Sequence, residues 1–327
     1  MKTTSFVQIA GKLVPATLYI YEEIKMSETL RSWNESSTKQ KILDYVAGVT
    51  DEASPTFVPV PERVATFDND GTLWCEKPAY IQLLFAIDRL KQMSEADPKL
   101  LEKPAYRAAA EGEMAYFAGL YPGNIPALMQ IVFETHGGMA QAEFETLAGD
   151  FLSEAKHPRF GVPFKQLVYK PMVELLHYLA DNGFKVFIAS AGGMSFVRTV
   201  AEEIYGVPRE RVIGSNVTFE TKMTAEGPVL MRKAGLVDPV DDGPGKPVNI
   251  ELHVGRRPIL AGGNANGDLH MLWYSETSDR STLQLLVHHD DAQREYAYDA
   301  GAEQVLSLAA ERDWLIISMK DDWREIF

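Results

Sequence analysis

The sequence predicts an α/β protein, a parallel sheet with helices on both faces and a separate all-helical insertion after the first strand of that sheet. Three observations point there. From about residue 159 onward, short apolar runs with the make-up of buried strands alternate with amphipathic segments. The stretch 78–158 shows helical periodicity broken by Gly and Pro, with no evident strand. The residues able to do chemistry fall at the ends of apolar runs, where an open parallel sheet gathers its ligands.

In chain order, residues 1–28 read as a loosely attached N-terminal extension. Their apolar run, 13–21, contains Pro15 and gives way to Glu22, Glu23 and Lys25 instead of a small-residue cleavage site, and Met26 offers an alternative start. This favours a cytoplasmic protein, with export as the alternative. Ser37-Thr38-Lys39-Gln40 fits a capping box, and Ile42, Leu43, Val46 and Ala47 then recur at helical spacing, so a helix is expected over 38–49. Arg63-Val64-Ala65-Thr66-Phe67 is a short buried strand. Helices follow at 78–95, 104–119, 124–135 and 139–156; in the last, Ala140, Phe144, Leu147, Ala148, Phe151, Leu152 and Ala155 share a face. The alternating part comprises helix 170–182, strand 185–190, helix 194–205, strand 211–217, a hairpin turning at 225–228 and a short helix after Lys246. It continues with strand 258–263, helix 268–275, strand 283–288, helix 292–311 and strand 314–319. The expected organisation is a core made of 29–77 and 159–327, with 78–158 inserted between its parts.

Composition narrows the function. A net charge of -14, from 46 acidic and 32 basic residues, opposes bulk attraction to nucleic acid or to an anionic membrane surface. No apolar run approaches the roughly 18 residues of a membrane helix. Cys75 stands alone, which excludes an internal disulfide and a Cys-based zinc site. Against this background four places at strand ends hold reactive groups: Asp68 and Asp70, then Ser190, then Lys246, then Asn264 and Asp268. Two carboxylates one residue apart, a hydroxyl, an amine and a further carboxylate suit phosphoryl transfer through an aspartyl intermediate.

Asp-Asn-Asp-Gly-Thr-Leu at 68–73, Ala-Ser-Ala-Gly-Gly at 189–193, Gly-Lys-Pro at 245–247 and Gly-Asn-Ala-Asn-Gly-Asp at 263–268 resemble, in order and strand placement, the four motifs of the haloacid dehalogenase superfamily, in its phosphoserine-phosphatase-like branch. The resemblance runs from about residue 60 to the end. It implies a three-layer Rossmann-like core with 78–158 as a cap, and a Mg2+-dependent phosphatase acting on a small phosphorylated metabolite. Asp68 would be the nucleophile and Asp70 the general acid and base. Ser190, Ala191 and Lys246 would bind phosphate, and Asp68, Asp70, Asn264 and Asp268 would hold the metal. Lys222 and Lys233 lie in the same inter-motif stretch as Lys246, but Pro247 at a helix start would keep Lys246 near the strand ends. Trp74, Glu76 and Gly192 are candidate substrate contacts. The pattern departs at Asn264, where much of the branch carries Asp; an amide oxygen ligates Mg2+ without bringing charge. A phosphotransferase or mutase would share the aspartyl intermediate, and a non-catalytic phosphate or metal sensor is the alternative from another class. His288-His289-Asp290-Asp291 looks like a metal cluster, but ends a strand and opens a helix, so capping and solvation are the expected roles, with substrate contact the alternative.

Overall fold

The computed structural model describes residues 6–9, 12–15, 29–120 and 124–327. Strands β1 (Phe6–Ile9) and β2 (Lys12–Pro15) pair antiparallel in a sheet of their own. The rest of the expected extension, Met26 included, lies outside the described residues. Helix α1 (Ser37–Thr50) buries Ile42, Val46 and Val49. Its cap is Ser36 rather than Ser37: Ser36 keeps extended dihedrals and its side chain accepts from the Lys39 amide.

Strand β3 (Val64–Phe67) is buried at all four positions, as a strand covered on both faces must be. It is the middle strand of a seven-stranded sheet ordered β6-β5-β4-β3-β7-β8-β9. The partners are β4 (Lys185–Gly193), β5 (Val212–Thr224), β6 (Gly227–Val237), β7 (Leu260–Gly263), β8 (Leu283–His288) and β9 (Leu315–Ser318). Every pair is parallel except β5 with β6, a hairpin. Phe67 lies opposite Ile188 on one side and Gly262 on the other. A Cβ on Gly262 would come within 2.5 Å of the Phe67 ring, so the close approach of β7 to β3 depends on a glycine there.

Successive strand residues point to opposite faces, and two apolar clusters follow that alternation. Phe67, Ile188, Leu285 and Ile317 pack with α1 and α7 (Lys170–Asp181), while Ala189, Ala261 and Leu286 pack with α10 (Gly245–Val254), α11 (Leu269–Ser275) and α12 (Glu303–Glu311). Three layers result. Between β3 and β4 come α2 (Ile81–Ala96), α3 (Pro104–Glu111), α4 (Met114–Ala118), α5 (Ile125–His136) and α6 (Gln141–Glu154). They bury two further clusters. One joins Ile81, Phe85, Phe144 and Leu152 to Trp74 and Phe196; the other holds Leu90, Tyr106, Phe117 and Ile131. The β5–β6 hairpin reaches this helical block through backbone bonds from Gly138 N to Arg232 O (2.8 Å) and from Arg232 N to Met139 O (2.9 Å).

Three expectations need correction. The single helix over 104–119 breaks after Glu111, because Gly112 takes a left-handed conformation that ends α3. The helix over 194–205 is two short ones, α8 (Met194–Arg198) and α9 (Ala201–Tyr205). Of the helix over 292–311 only Glu303–Glu311 forms. Asp291 instead draws the Gln293 and Arg294 amides into a turn, and the Arg294 guanidinium reaches the Trp323 carbonyl at 2.8 Å. The chain ends with α13 (Met319–Asp322). No helix among the described residues is long and apolar enough to cross a membrane.

Candidate active site

The sheet reverses its order of winding around β3, since β4 lies on one side and β7 on the other, and the loops leaving these three strands meet there. The loop after β3 is tightly fixed. Asp68 extends the ladder by donating its amide to Gly262 O at 2.9 Å, and the Asn69 carbonyl collects the amides of Thr72, Leu73 and Trp74. Asn69 Oδ1 accepts the Tyr205 hydroxyl at 2.8 Å, and the Gly71 carbonyl accepts from His289 Nε2 at 2.8 Å. Gly71 has φ +75°, and a Cβ there would sit 2.1 Å from Asn264 Nδ2, so no side chain fits.

Lys246, in the first turn of α10, ties the strand ends together. Its ammonium donates to Asp68 Oδ1 and Asp268 Oδ1, both at 2.6 Å, and to the Ala189 carbonyl at 2.7 Å. It is 1% exposed. Burial opposes its charge, but the carboxylates of Asp268, Asp68 and Asp241 outweigh burial and hold the ammonium above its ordinary range. Lys222 and Lys233 lie on the hairpin, where Lys233 pairs with Glu220 at 3.1 Å. Asp268, expected among the metal ligands, has both oxygens engaged: Oδ1 takes Lys246, and Oδ2 takes the Asn264 amide at 2.9 Å and the Ala265 amide at 3.0 Å. In this arrangement it anchors the lysine and closes its own loop.

Asp70 is set apart from that cluster. Its Oδ1 accepts the Trp74 indole N–H at 2.9 Å and its Oδ2 the Ser190 hydroxyl at 3.4 Å. Burial pushes its carboxyl up to about 6, against the opposing pull of the Trp74 hydrogen bond. Asp68 is held well above the usual carboxylate range, by burial first and the neighbouring Asp268 second, with Lys246 pulling the other way. Ser190 Oγ also accepts the Gly192 amide at 3.1 Å, while the Ala191 carbonyl accepts from Ser215 Oγ at 2.8 Å.

The candidate substrate contacts separate. Trp74 is 1% exposed, packed on Phe196 and Tyr205 with its N–H on Asp70, which makes it a support for Asp70 instead of an open contact. Glu76 is buried too, accepting the Tyr298 hydroxyl at 2.6 Å. Gly192 stays beside the cleft residues: a Cβ on it would lie 3.5 Å from Asp70 Oδ2. His288 Nδ1 stands 3.8 Å from Asp290 Oδ2, but the run 288–291 gathers into no metal-holding group among the described residues, because the closer partners of its members differ. His288 takes Asp299, His289 takes Gly71 O and Glu295, Asp290 takes Ser318, and Asp291 takes Arg294. Among the described residues no three His, Cys, Asp or Glu side chains gather as a metal-holding group. Oxygen donors are nonetheless concentrated here, and the acids Asp68, Asp70, Asp241 and Asp268 face one lysine. Asp68, Asp241 and Asp268 are buried, and carboxylate oxygens crowded in this way fit a hard divalent cation.

Sequence reasoning passed over Gln82, whose Oε1 accepts the Gly193 amide at 2.7 Å and so joins α2 to the end of β4. It also gave no supporting role to Thr72, Tyr205 or Tyr298. Nothing in their spacing marks them, since each reaches the site through tertiary packing.

Two solved structures share this architecture. A conserved functionally unknown protein from Anaerococcus prevotii superposes with a TM-score of 0.55 at 17% identity, over 87% of this chain and 92% of its own. A protein with unknown function from Bordetella pertussis gives a TM-score of 0.50 at 14% identity, over 78% of this chain and 98% of its own. A phosphoserine phosphohydrolase-like protein from Francisella tularensis gives 0.39 at 16% identity, over 75% and 99%. No match was found among curated proteins. Residues 65–273, well over half of the chain and spanning all four strand-end loops, match the family model for haloacid dehalogenase-like hydrolases, and the chain belongs to that family.

Proposed function

We propose that the protein hydrolyses a small phosphomonoester through a phosphoryl-Asp68 intermediate. The observation that carries the reading is the division of labour between the two acids after β3: Asp68 lies on the Lys246 ammonium, whereas Asp70 sits on Trp74 and Ser190 with its carboxyl raised to about 6. An Asp68 oxygen attacks phosphorus as the bond to the leaving oxygen breaks, and Asp70 gives that oxygen its proton. Asp70 then takes a proton from the water that attacks the phosphoryl-Asp68, which releases phosphate and restores the carboxylate. Ser190 and the Ala191 backbone meet the phosphoryl oxygens, and Lys246 balances their charge. Mg2+, held by Asp68, the Asp70 carbonyl and Asn264, would neutralise phosphate enough for an anionic carboxylate to approach it.

In the same reading, 78–158 is a cap over a core of 29–77 and 159–327, and the Gln82 contact to Gly193 brings its first helix to the phosphate loop. The test is hydrolysis of p-nitrophenyl phosphate with Mg2+. Asp68→Asn should abolish it, and a variant that retains its rate would falsify the assignment. Beryllofluoride should form an adduct on the parent chain and none on the variant.

A further inference from the structure

Glu76 and Asn264 meet across the loop after β3. Glu76 is 5% exposed and Asn264 3%. Glu76 Oε1 accepts the Tyr298 hydroxyl at 2.6 Å and Asn264 Nδ2 at 3.4 Å, with Lys77 Nζ at 3.6 Å on its outer side. The other half of the Asn264 amide is fixed as well: Oδ1 accepts the Thr72 hydroxyl at 3.0 Å. Gly71 leaves the space between them clear, since a Cβ there would strike Asn264 Nδ2 and lie 3.0 Å from the Glu76 carboxyl carbon. Tyr298, which holds Glu76, stacks on His289 at 4.4 Å, and His289 holds the Gly71 carbonyl. The acid is therefore built into the same framework that positions Asp70, instead of standing free in a cleft.

An aspartate at position 264 would set two buried carboxylates against each other. An asparagine there donates to Glu76 instead, which turns its amide oxygen the opposite way. Resting on the metal-dependent reading above, we propose that Glu76 supplies the negative charge that position 264 lacks in the cation site. It lies behind Asn264, orients the amide so that Oδ1 is the ligating atom, and offsets the divalent charge without touching the ion. Glu76 is thus a positioning residue for the metal, and Asn264 with Glu76 forms an acid–amide pair in swapped order.

The test reads Mg2+ binding to the full chain by isothermal titration calorimetry, with no substrate present. Glu76→Gln should weaken binding by about 10- to 100-fold, the usual effect of removing a residue that supports a ligand. The double variant Glu76→Gln, Asn264→Asp, which moves the acid to position 264, should recover most of the affinity that the single change loses, because the charge returns in the ligand itself. Unchanged affinity in Glu76→Gln, a double variant no better than the single one, or a parent chain that binds no Mg2+ overturns the proposal. Asn264→Asp alone is the second readout and serves if Glu76→Gln does not fold. It should unfold at lower temperature than the parent without metal and gain more from Mg2+, and metal-free stability equal to the parent's overturns the pairing. None of these readings needs turnover. A chain that follows this binding pattern while Asp68→Asn still hydrolyses p-nitrophenyl phosphate keeps the pair and loses the phosphatase mechanism.

Discussion

The strand-end loops and the helical block between β3 and β4 are held by different forces. Around β3, β4 and β7 the polar groups fix one another: Lys246 uses three donors on three partners, and Asp268 accepts from the lysine and two amides. The block is held mostly by apolar side chains, with Phe85 packed on Phe144, Phe151 and Phe196 in one cluster and Leu90, Ala109 and Ile131 in the other, and a few polar ties at its margins. Directional bonds fix charges in place, while apolar contacts are non-directional and hold through close packing.

Substitutions can test the contrast, beginning with the largest effect. Asp70→Asn should lower kcat with p-nitrophenyl phosphate by about 100- to 10,000-fold while the fold is kept, because the amide cannot exchange the proton. Lys246→Met leaves Asp68 and Asp268 buried without a cation, and should cost about 3–5 kcal/mol in denaturant unfolding without metal. At the margin of the block, Arg232→Ala on the hairpin removes bonds to His136 O (3.0 Å) and Gln141 Oε1 (2.7 Å) and the guanidinium lying 3.7 Å over Phe144. A loss of about 2–3 kcal/mol is expected, since hydrogen bonds from a charged group are worth about 1.5–3 kcal/mol. Gln82→Ala should cost about 1 kcal/mol and raise KM more than it lowers kcat; an equal fall in kcat and kcat/KM, with KM unchanged, would place Gln82 in the chemistry.

Acid offers a milder probe of the block. Burial, with Arg232 and Arg89 adding to it, pushes the His136 imidazole down to about 3. The unfolded chain takes up this proton near pH 6.5 and the folded chain resists it, so stability present above that pH is lost as pH falls toward 3. Urea midpoints recorded from pH 7 to pH 4 should fall less in His136→Phe than in the parent.

Much of this was legible in the sequence, for a physical reason. Strands of a covered parallel sheet are continuous apolar runs, so Val64–Phe67 and Leu283–His288 announce themselves, and reactive residues at their ends stand out against them. Lys246 was separable from Lys222 and Lys233 through Pro247 alone. The helix expected over 292–311 fails because its periodicity says nothing of Arg294 reaching the carbonyls of Trp323 and Met319, thirty residues away in the chain or nearly so. Trp74 follows the same rule. Its position after the motif makes it a candidate substrate contact, whereas its indole is covered by Phe196 and Tyr205, which later elements bring in.

The bonds between Gly138, Met139 and Arg232 bear on how the site can open. Besides its two chain connections, after β3 and before β4, the helical block is tied by the hairpin, by Gln82 accepting the Gly193 amide and by Glu145 accepting from Arg209. A body fastened at two neighbouring points can swing like a door; fastened at a third, it cannot without breaking that fastening. Motion of the block that preserves the Arg232 bonds must carry the hairpin with the helices, so the edge of the sheet travels with them. On the proposed reading of the block as a cap, a crosslink between the hairpin and the core should then slow substrate entry at a distance from every reacting atom.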